Sequence, residues 1–205
     1  MPFVAMIAGP NGSGKTTLVN HLRRRGVYLG EYVNPDEIAA GLSGAYDERV
    51  REAQHIAERR RSEYLRSGTS FTFETVMSHP SKVEFFAEAA AMGFDTILYF
   101  VATSDPELNV LRVAQRVAMG GHDVPADRIV SRYHRTMAAL PAALKVASRA
   151  FLFDNSGPEG LVLAAFTGDL DETGATDRGI RVQPDAPEWV RDAVASRVRP
   201  GRRST

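Results

Sequence analysis

The feature that most constrains this chain is the glycine-rich segment Gly9-Pro10-Asn11-Gly12-Ser13-Gly14-Lys15-Thr16. It directly follows the apolar residues 3–8, which are typical of a buried strand, and it precedes residues 16–25, which suit a helix. A strand, a glycine-rich turn and a helix in this order are what a phosphate-binding loop needs. The alternative is a Gly/Ser turn that matches the pattern by chance, and the flanking strand and helix disfavour it. The segment therefore predicts a nucleotide-binding α/β fold.

Each residue type in such a loop has a physical role. The glycines let successive backbone N–H groups turn toward a polyphosphate, and Lys15 can neutralise the β- and γ-phosphate oxygens. The hydroxyl of Thr16 is the predicted ligand of Mg²⁺. The helix that follows directs its positive end toward the anion. The predicted ATP-binding residues are Gly9, Pro10, Asn11, Gly12, Ser13, Gly14, Lys15, Thr16 and Thr17.

Beyond the loop, strand and helix patterns alternate along the chain. Further strands are predicted at residues 28–33, 70–75, 95–101 and 150–153, and further helices at residues 46–66, 78–92, 106–119 and 125–147. This alternation predicts a mainly parallel, five-stranded sheet with helices on both faces. A hairpin and a terminal helix at about residues 161–198 are expected to follow, with Trp189 packed on the core.

Length and composition indicate one soluble globular domain. A chain of 205 residues suits a single domain over residues 1–199, followed by a flexible basic tail at residues 200–205. No apolar stretch reaches the length of a membrane span, and no leader precedes the first strand, so we expect a cytoplasmic protein. The absence of cysteine excludes disulfides and thiolate chemistry. Equal numbers of acidic and basic residues make a nucleic-acid partner unlikely to be the main ligand.

Carboxylates follow two further strands of the predicted sheet. Asp36 comes after the second strand and Glu74 after the third, so a parallel sheet would bring both near the loop. Phosphoryl transfer needs a carboxylate that orients or deprotonates the attacking hydroxyl, and Asp36 is the candidate. Its alternative role is the N-cap of a helix. Glu74 is predicted to contact substrate hydroxyls or a metal-bound water, and its alternative role is a strand-end charge in a salt bridge.

Arginines on two helices indicate a lid at about residues 116–135. Gly120 and Gly121 permit hinge motion, and closure would bring guanidinium groups onto the transferring phosphate. The arginines of this region are Arg112, Arg116, Arg128, Arg132 and Arg135, of which Arg116, Arg132 and Arg135 are favoured. The alternative for each is an exposed helix face. His122 is expected to shape the lid rather than to act as an acid or base. A separate charged run, residues 58–61, is expected to be solvated.

These motifs together resemble the zeta toxin family of P-loop kinases. The resemblance covers about residues 1–155 and rests on the loop, Asn34-Pro35-Asp36, Phe73-Glu74-Thr75 and Gly120-Gly121-His122-Asp123-Val124-Pro125 with Arg132-Tyr133. It implies ATP-dependent phosphorylation of a small-molecule hydroxyl, with UDP-N-acetylglucosamine the acceptor in the well-known toxins, and an antitoxin protein as partner.

The resemblance also implies roles for single residues. Lys15 and Thr16 would bind phosphate and Mg²⁺, and Asp36 would be the base. Glu74 and Thr75 would touch the substrate, and Arg116 and Arg132 would stabilise the transition state. The chain lacks the extended substrate-binding insertion of the larger toxins, which leaves the acceptor open.

Two other functions fit less of the sequence. A nucleotide-driven switch or ATPase, in which hydrolysis changes shape instead of modifying a metabolite, fits less of the chain than a kinase does. No Asn-Lys-x-Asp segment of a GTPase occurs. A polynucleotide 5′-kinase would need a basic groove, which the balanced charge does not indicate. We therefore expect an ATP-dependent kinase with a small-molecule acceptor.

Overall fold

The computed structural model of the protein describes residues 1–120, 123–167 and 179–198. Gly121 and His122 of the predicted lid, and the predicted tail at residues 200–205, lie outside these ranges. The strands are β1 (Phe3–Ala8), β2 (Glu31–Val33), β3 (Phe71–Thr75), β4 (Asp95–Ala102), β5 (Arg149–Asp154), β6 (Val162–Thr167) and β7 (Ile180–Val182). The helices are α1 (Lys15–Arg24), α2 (Pro35–Ala40), α3 (Tyr46–Ser67), α4 (Ser81–Ala91), α5 (Pro106–Ala118), α6 (Ala126–Val146) and α7 (Glu188–Val198).

The strands form one seven-stranded sheet in the order β2-β3-β1-β4-β5-β6-β7. The first five strands in this order pair in parallel, and β6 and β7 are added antiparallel. The predicted hairpin strands do pair with each other, but the prediction of a separate hairpin beside a five-stranded sheet was wrong in its details. On the side away from β4, β5 pairs antiparallel with β6, for example Leu152 with Ala165. The sheet therefore continues past β5 instead of ending there in an unpaired strand.

Helices cover both faces of the sheet, as the alternating pattern predicts. On one face, Leu18, Val19 and Leu22 of α1 pack on Ala5 and Ile7 of β1. On the other face, α3, α4, α6 and α7 bury side chains against a core that contains Phe71, Phe73, Phe86, Phe100 and Leu144. Alternate residues of β1 therefore face two different cores, which explains why this strand reads as a continuous apolar run.

Trp189 on α7 fastens the C-terminal helix to the sheet. Its ring centroid lies 5.9 Å from that of Phe100, and its indole Nε1 donates a hydrogen bond of 3.1 Å to Oδ1 of Asp154. The predicted core contact of Trp189 is confirmed. None of the helices in the described ranges is long and apolar enough to cross a membrane.

The charged run at residues 58–61 is only partly solvated, and the prediction for Arg61 was wrong. Arg61 is 5% exposed, and its guanidinium carbon lies 5.5 Å from the ring centroid of Phe73 and 5.6 Å from that of Phe85. Nη2 of Arg61 lies 3.9 Å from Oε1 of Glu58. Burial lowers the pKa of Arg61, and the charge of Glu58 opposes that shift. Two aromatic faces and one carboxylate thus compensate a buried cation that joins α3, α4 and β3.

We predict that Arg61→Ala lowers the free energy of unfolding by about 2 kcal/mol, because it removes buried stem packing together with two ring contacts. Arg59→Ala is the matched control, since Arg59 lies on the exposed face of the same helix. Urea unfolding of both variants measures the difference. Equal stability of the two variants would contradict a structural role for Arg61.

Candidate active site

The glycine-rich loop lies at the carboxyl end of β1, between β3 and β4. Chain order changes direction across β1 at this point, and such positions are where open α/β sheets bind ligands. Gly14 is the N-cap of α1 with a φ of 104°, so the loop passes directly into the helix. A Cβ atom on Gly9 would lie 2.0 Å from the carbonyl oxygen of Val101 on β4. The loop therefore sits against the sheet more closely than any side chain would allow.

Two buried asparagines hold the loop from outside it. Nδ2 of Asn109, on α5, donates to the carbonyl oxygen of Asn11 at 2.6 Å. Nδ2 of Asn155, directly after β5, donates to the carbonyl oxygen of Ser13 at 2.8 Å. The Asn109 side chain is held in turn by the hydroxyl of Thr103, which donates to its Oδ1.

Lys15 is folded over the start of the loop. Its Nζ donates hydrogen bonds of 2.9 Å to the carbonyl oxygens of both Gly9 and Pro10. Burial lowers the pKa of Lys15, the charge of Arg116 lowers it further, and the charges of Glu74 and Asp36 raise it. Of the residues whose charges shift this pKa, Glu74 lies on β3, Asp36 on α2 and Arg116 on α5.

Glu74 lies at the centre of a small buried network. Its Oε1 accepts hydrogen bonds from the Tyr32 hydroxyl and from Nδ2 of Asn34, the latter at 3.1 Å. Burial raises the pKa of Glu74, while the hydrogen bond from Tyr32 and the charge of Lys15 oppose the shift. Burial and the neighbouring Glu74 raise the pKa of Tyr32, so its hydroxyl stays protonated and donates. Glu74 is thus anchored by two neutral donors, not by the salt bridge of the alternative interpretation.

Asp36 lies in the first turn of α2, and the N-cap of that helix is Asn34. The backbone N–H of Asp36 donates to Oδ1 of Asn34 at 2.9 Å. The alternative interpretation of Asp36 as the N-cap was therefore wrong, because the residue two positions earlier supplies the capping oxygen. The Asp36 side chain is exposed and is free of the capping role.

The remaining predicted loop and substrate residues lie at the same edge of the sheet. Thr16 and Thr17 are exposed in the first turn of α1. Oγ1 of Thr75 accepts a hydrogen bond of 2.9 Å from the backbone N–H of Met77. Within the described residues, Oδ1 of Asn11 and Oγ of Ser13 are buried without a hydrogen-bond partner. Unpaired polar atoms in a loop of this kind fit a polar ligand such as a nucleotide phosphate.

The predicted lid arginines do not all behave alike. Arg116 lies in the last turn of α5 and acts electrostatically on Lys15. Arg132 is half-buried on α6, beside Tyr133, whose hydroxyl donates to the carbonyl oxygen of Thr103 at 2.6 Å. Nε of Arg135 donates to the carbonyl oxygen of Ser131 on its own helix. Of these three arginines, only Arg116 contributes to the electrostatics of Lys15.

A groove of about 430 Å³ opens beside the Glu74 network. Two of its lining residues, Tyr32 and Asn34, are the same residues that bind Glu74. The others are Glu37, Ile38, Gly41, Leu42, Ile56 and Arg60. The lining combines polar and charged side chains with three aliphatic ones, and a groove of this volume can hold a small polar molecule.

Sequence reasoning missed the contacts of Tyr32 and Asn109. Tyr32 lies in a short strand whose pattern says nothing about a partner on β3. Asn109 carried a usable signal, because it lies four residues before the buried Val113 and therefore on the buried face of α5. A polar side chain at such a position needs a partner inside the protein.

Comparisons with known proteins agree with this architecture. No curated protein sequence matches the chain. The complex of AvrRxo1-ORF1 and AvrRxo1-ORF2 with ATP matches with a TM-score of 0.68 and 18% identity, over 97% of this chain and 65% of that chain. A structure from the PezAT chromosomal toxin–antitoxin system of Streptococcus pneumoniae matches with a TM-score of 0.57 and 15% identity, over 96% of this chain and 86% of that one.

These likenesses show a shared fold, and this chain spans about 65% of the length of the AvrRxo1 chain. The family comparison goes further, because it covers more than half of the sequence. Residues 4–140 match the AAA domain family AAA_33, and they include the phosphate loop, Asp36, Glu74 and the three favoured lid arginines. The protein therefore belongs to the AAA_33 family of AAA domains.

Proposed function

We propose that this protein is an ATP-dependent kinase that transfers the γ-phosphate of ATP to a hydroxyl group of a small molecule. The observation that carries the proposal is the position of Glu74, which lies opposite Ile7 of β1 at the strand end that leads into the phosphate loop and is anchored by Tyr32 and Asn34 beside a groove. A switch or ATPase also uses the loop and a nearby carboxylate, but it does not need an acceptor groove beside that carboxylate. We further propose that residues 1–199 act as a single catalytic domain.

The loop from Gly9 to Thr17 is the proposed ATP site. The unpaired Oγ of Ser13 and the glycine-lined turn fit a phosphate ligand, and Lys15 would neutralise its β- and γ-oxygens. The exposed hydroxyl of Thr16 would hold Mg²⁺, which supplies charge neutralisation at the phosphates. The neighbouring structure of AvrRxo1-ORF1 and AvrRxo1-ORF2 contains ATP, which supports the choice of nucleotide.

Asp36 is the proposed general base. It lies directly after β2 in the first turn of α2, and its exposed carboxylate is not used for capping because Asn34 caps the helix. In this role it accepts the proton of the acceptor hydroxyl as that oxygen bonds to the γ-phosphorus and the bond to the β–γ bridging oxygen breaks, which releases ADP. Glu74 and Thr75 would bind the acceptor, and Arg116 and Arg132, on a lid at residues 116–135, would stabilise the charge of the transferring group.

The groove beside Glu74 is the proposed acceptor site. Tyr32 and Asn34 line this groove and donate hydrogen bonds to Glu74, which lies on β3, the strand next to β1 and its phosphate loop. The resemblance to zeta toxins makes nucleotide sugars such as UDP-N-acetylglucosamine the first acceptors to test. We also propose a protein antitoxin as partner, since the PezAT neighbour is a toxin–antitoxin system.

The test of the proposed function follows labelled γ-phosphate. We expect label from ATP to appear on one acceptor in a panel of UDP-sugars, nucleosides and hydroxylated antibiotics, and ATP consumption to require that acceptor. Rapid ATP hydrolysis that no acceptor stimulates would contradict a kinase and favour a switch or ATPase. Label on RNA or DNA ends would favour a polynucleotide kinase instead.

We predict that Asp36→Asn lowers the rate of phosphoryl transfer by about 10² or more, because the amide cannot accept the hydroxyl proton. The affinity for ATP and the thermal unfolding temperature should stay the same. Asp47→Asn is the matched control, since Asp47 is an exposed acidic residue in the first turn of the next helix. An Asp36→Asn enzyme as fast as the control would show that Asp36 is not the base.

We predict a shift in the pH dependence of kcat/KM for Tyr32→Phe. The Tyr32 hydrogen bond favours the ionised form of Glu74, whose pKa burial already raises above its ordinary 4.5. Without that bond the pKa of Glu74 rises further, so activity that needs the carboxylate is lost at a higher pH as the solution is acidified. Tyr64→Phe is the control, because its hydroxyl contacts the exposed Glu31. An acidic limb that does not move would contradict a role for ionised Glu74.

A further inference from the structure

We infer that Asn109 and Asn155 are positioning residues that hold the phosphate loop in its anion-binding conformation. The inference rests on the proposed binding of ATP and adds two residues that lie outside the glycine-rich motif. Neither residue is placed to touch the reacting atoms. Each acts through a main-chain carbonyl of the loop.

The two asparagines donate hydrogen bonds to alternate residues of the loop, and they come from two distant parts of the chain. Asn109 on α5 binds the carbonyl oxygen of Asn11, and Asn155 after β5 binds that of Ser13. Asn109 is fully buried and Asn155 is 9% exposed, so water does not compete freely for these bonds. The backbone of Asn155 is itself fixed, because its N–H donates to the carbonyl oxygen of Ala102 at 2.8 Å.

Because of peptide geometry, the hydrogen bonds from Asn109 and Asn155 also set the direction of two main-chain N–H groups in the loop. In a trans peptide the C=O and the N–H of the same unit point in opposite directions, and the described chain contains no cis peptide. Holding the carbonyl of Asn11 toward Asn109 therefore directs the N–H of Gly12 away from it. Holding the carbonyl of Ser13 toward Asn155 does the same for the N–H of Gly14. Main-chain N–H groups directed outward in this way form an anion-binding concavity.

Two glycines of the motif lie where a side chain would collide with the two asparagines. A Cβ atom on Gly14 would lie 2.4 Å from Nδ2 of Asn155, and one on Gly12 would lie 2.7 Å from the carbonyl oxygen of Asn109. Both glycines also have positive φ angles, 74° for Gly12 and 104° for Gly14. The absence of side chains here thus permits the close approach of the two asparagines as well as the backbone turn.

The test compares Asn109→Ala, Asn155→Ala and the isosteric Asn155→Asp with the wild-type chain. Calorimetric titration with ATP and with inorganic tripolyphosphate, each with Mg²⁺, measures the Kd at a temperature where every variant is folded. We expect the Kd for both ligands to rise about ten-fold in each variant, as the loss of a buried hydrogen bond allows. The equal effect on tripolyphosphate separates loop positioning from contacts to the base or ribose.

Thr72→Val is the control for a purely structural effect. The buried Thr72 hydroxyl donates to the carbonyl oxygen of Leu29 at 2.6 Å, so this variant also loses one buried side-chain bond to the main chain, away from the loop. It should lose thermal stability and keep its affinity for both ligands. If Asn109→Ala does not fold, Asn155→Ala decides the matter, because it removes the hydrogen-bond donor without adding a charge beside the anion.

The outcomes distinguish this inference from the proposed function. A wild-type chain that binds neither ATP nor tripolyphosphate would overturn the proposed function. A wild-type chain that binds both, with folded asparagine variants that bind equally well, would overturn the positioning role alone.

Discussion

The proposed anion site at the carboxyl edge of this sheet depends on the hydrogen bonds that occupy the carbonyl oxygens of the phosphate loop. A glycine-rich turn can attract an anion only if its N–H groups face the ligand and its carbonyl oxygens are occupied elsewhere. Here Lys15 takes the carbonyls of Gly9 and Pro10, and two asparagines from distant elements take those of Asn11 and Ser13. The positive character of the loop is therefore a property of the whole fold and not of the motif alone.

The surroundings of Lys15 suit a ligand that brings additional negative charge. Burial lowers the pKa of Lys15, and the charges of Glu74 and Asp36 oppose that shift only in part. A bound phosphate would act in the same direction as the two carboxylates, so nucleotide binding and the charged state of Lys15 support each other. Glu74 is in turn held by Tyr32 and Asn34, which places one rigid carboxylate between the loop and the groove.

Local patterns predicted most of the fold, because they report local physics. The apolar run of β1, the glycine turn and the alternation of strands and helices are all readable within short windows. The contacts that build the site are not: Asn109 lies 98 residues from Asn11 along the chain, and Tyr32 lies 42 residues from Glu74. Arg61 shows the same limit, since its charged neighbours suggest an exposed face and only the rings of β3 and α4 make its burial possible.

A crystal structure with Mg²⁺ and a non-hydrolysable ATP analogue tests the central claim most directly. The account predicts that the main-chain nitrogens of Gly12 and Gly14 lie within hydrogen-bond distance of phosphate oxygens. It also predicts that the Asp36 carboxylate faces the γ-phosphate from the groove side. Phosphates bound elsewhere, or an Asp36 side chain outside the nucleotide cleft, would contradict it.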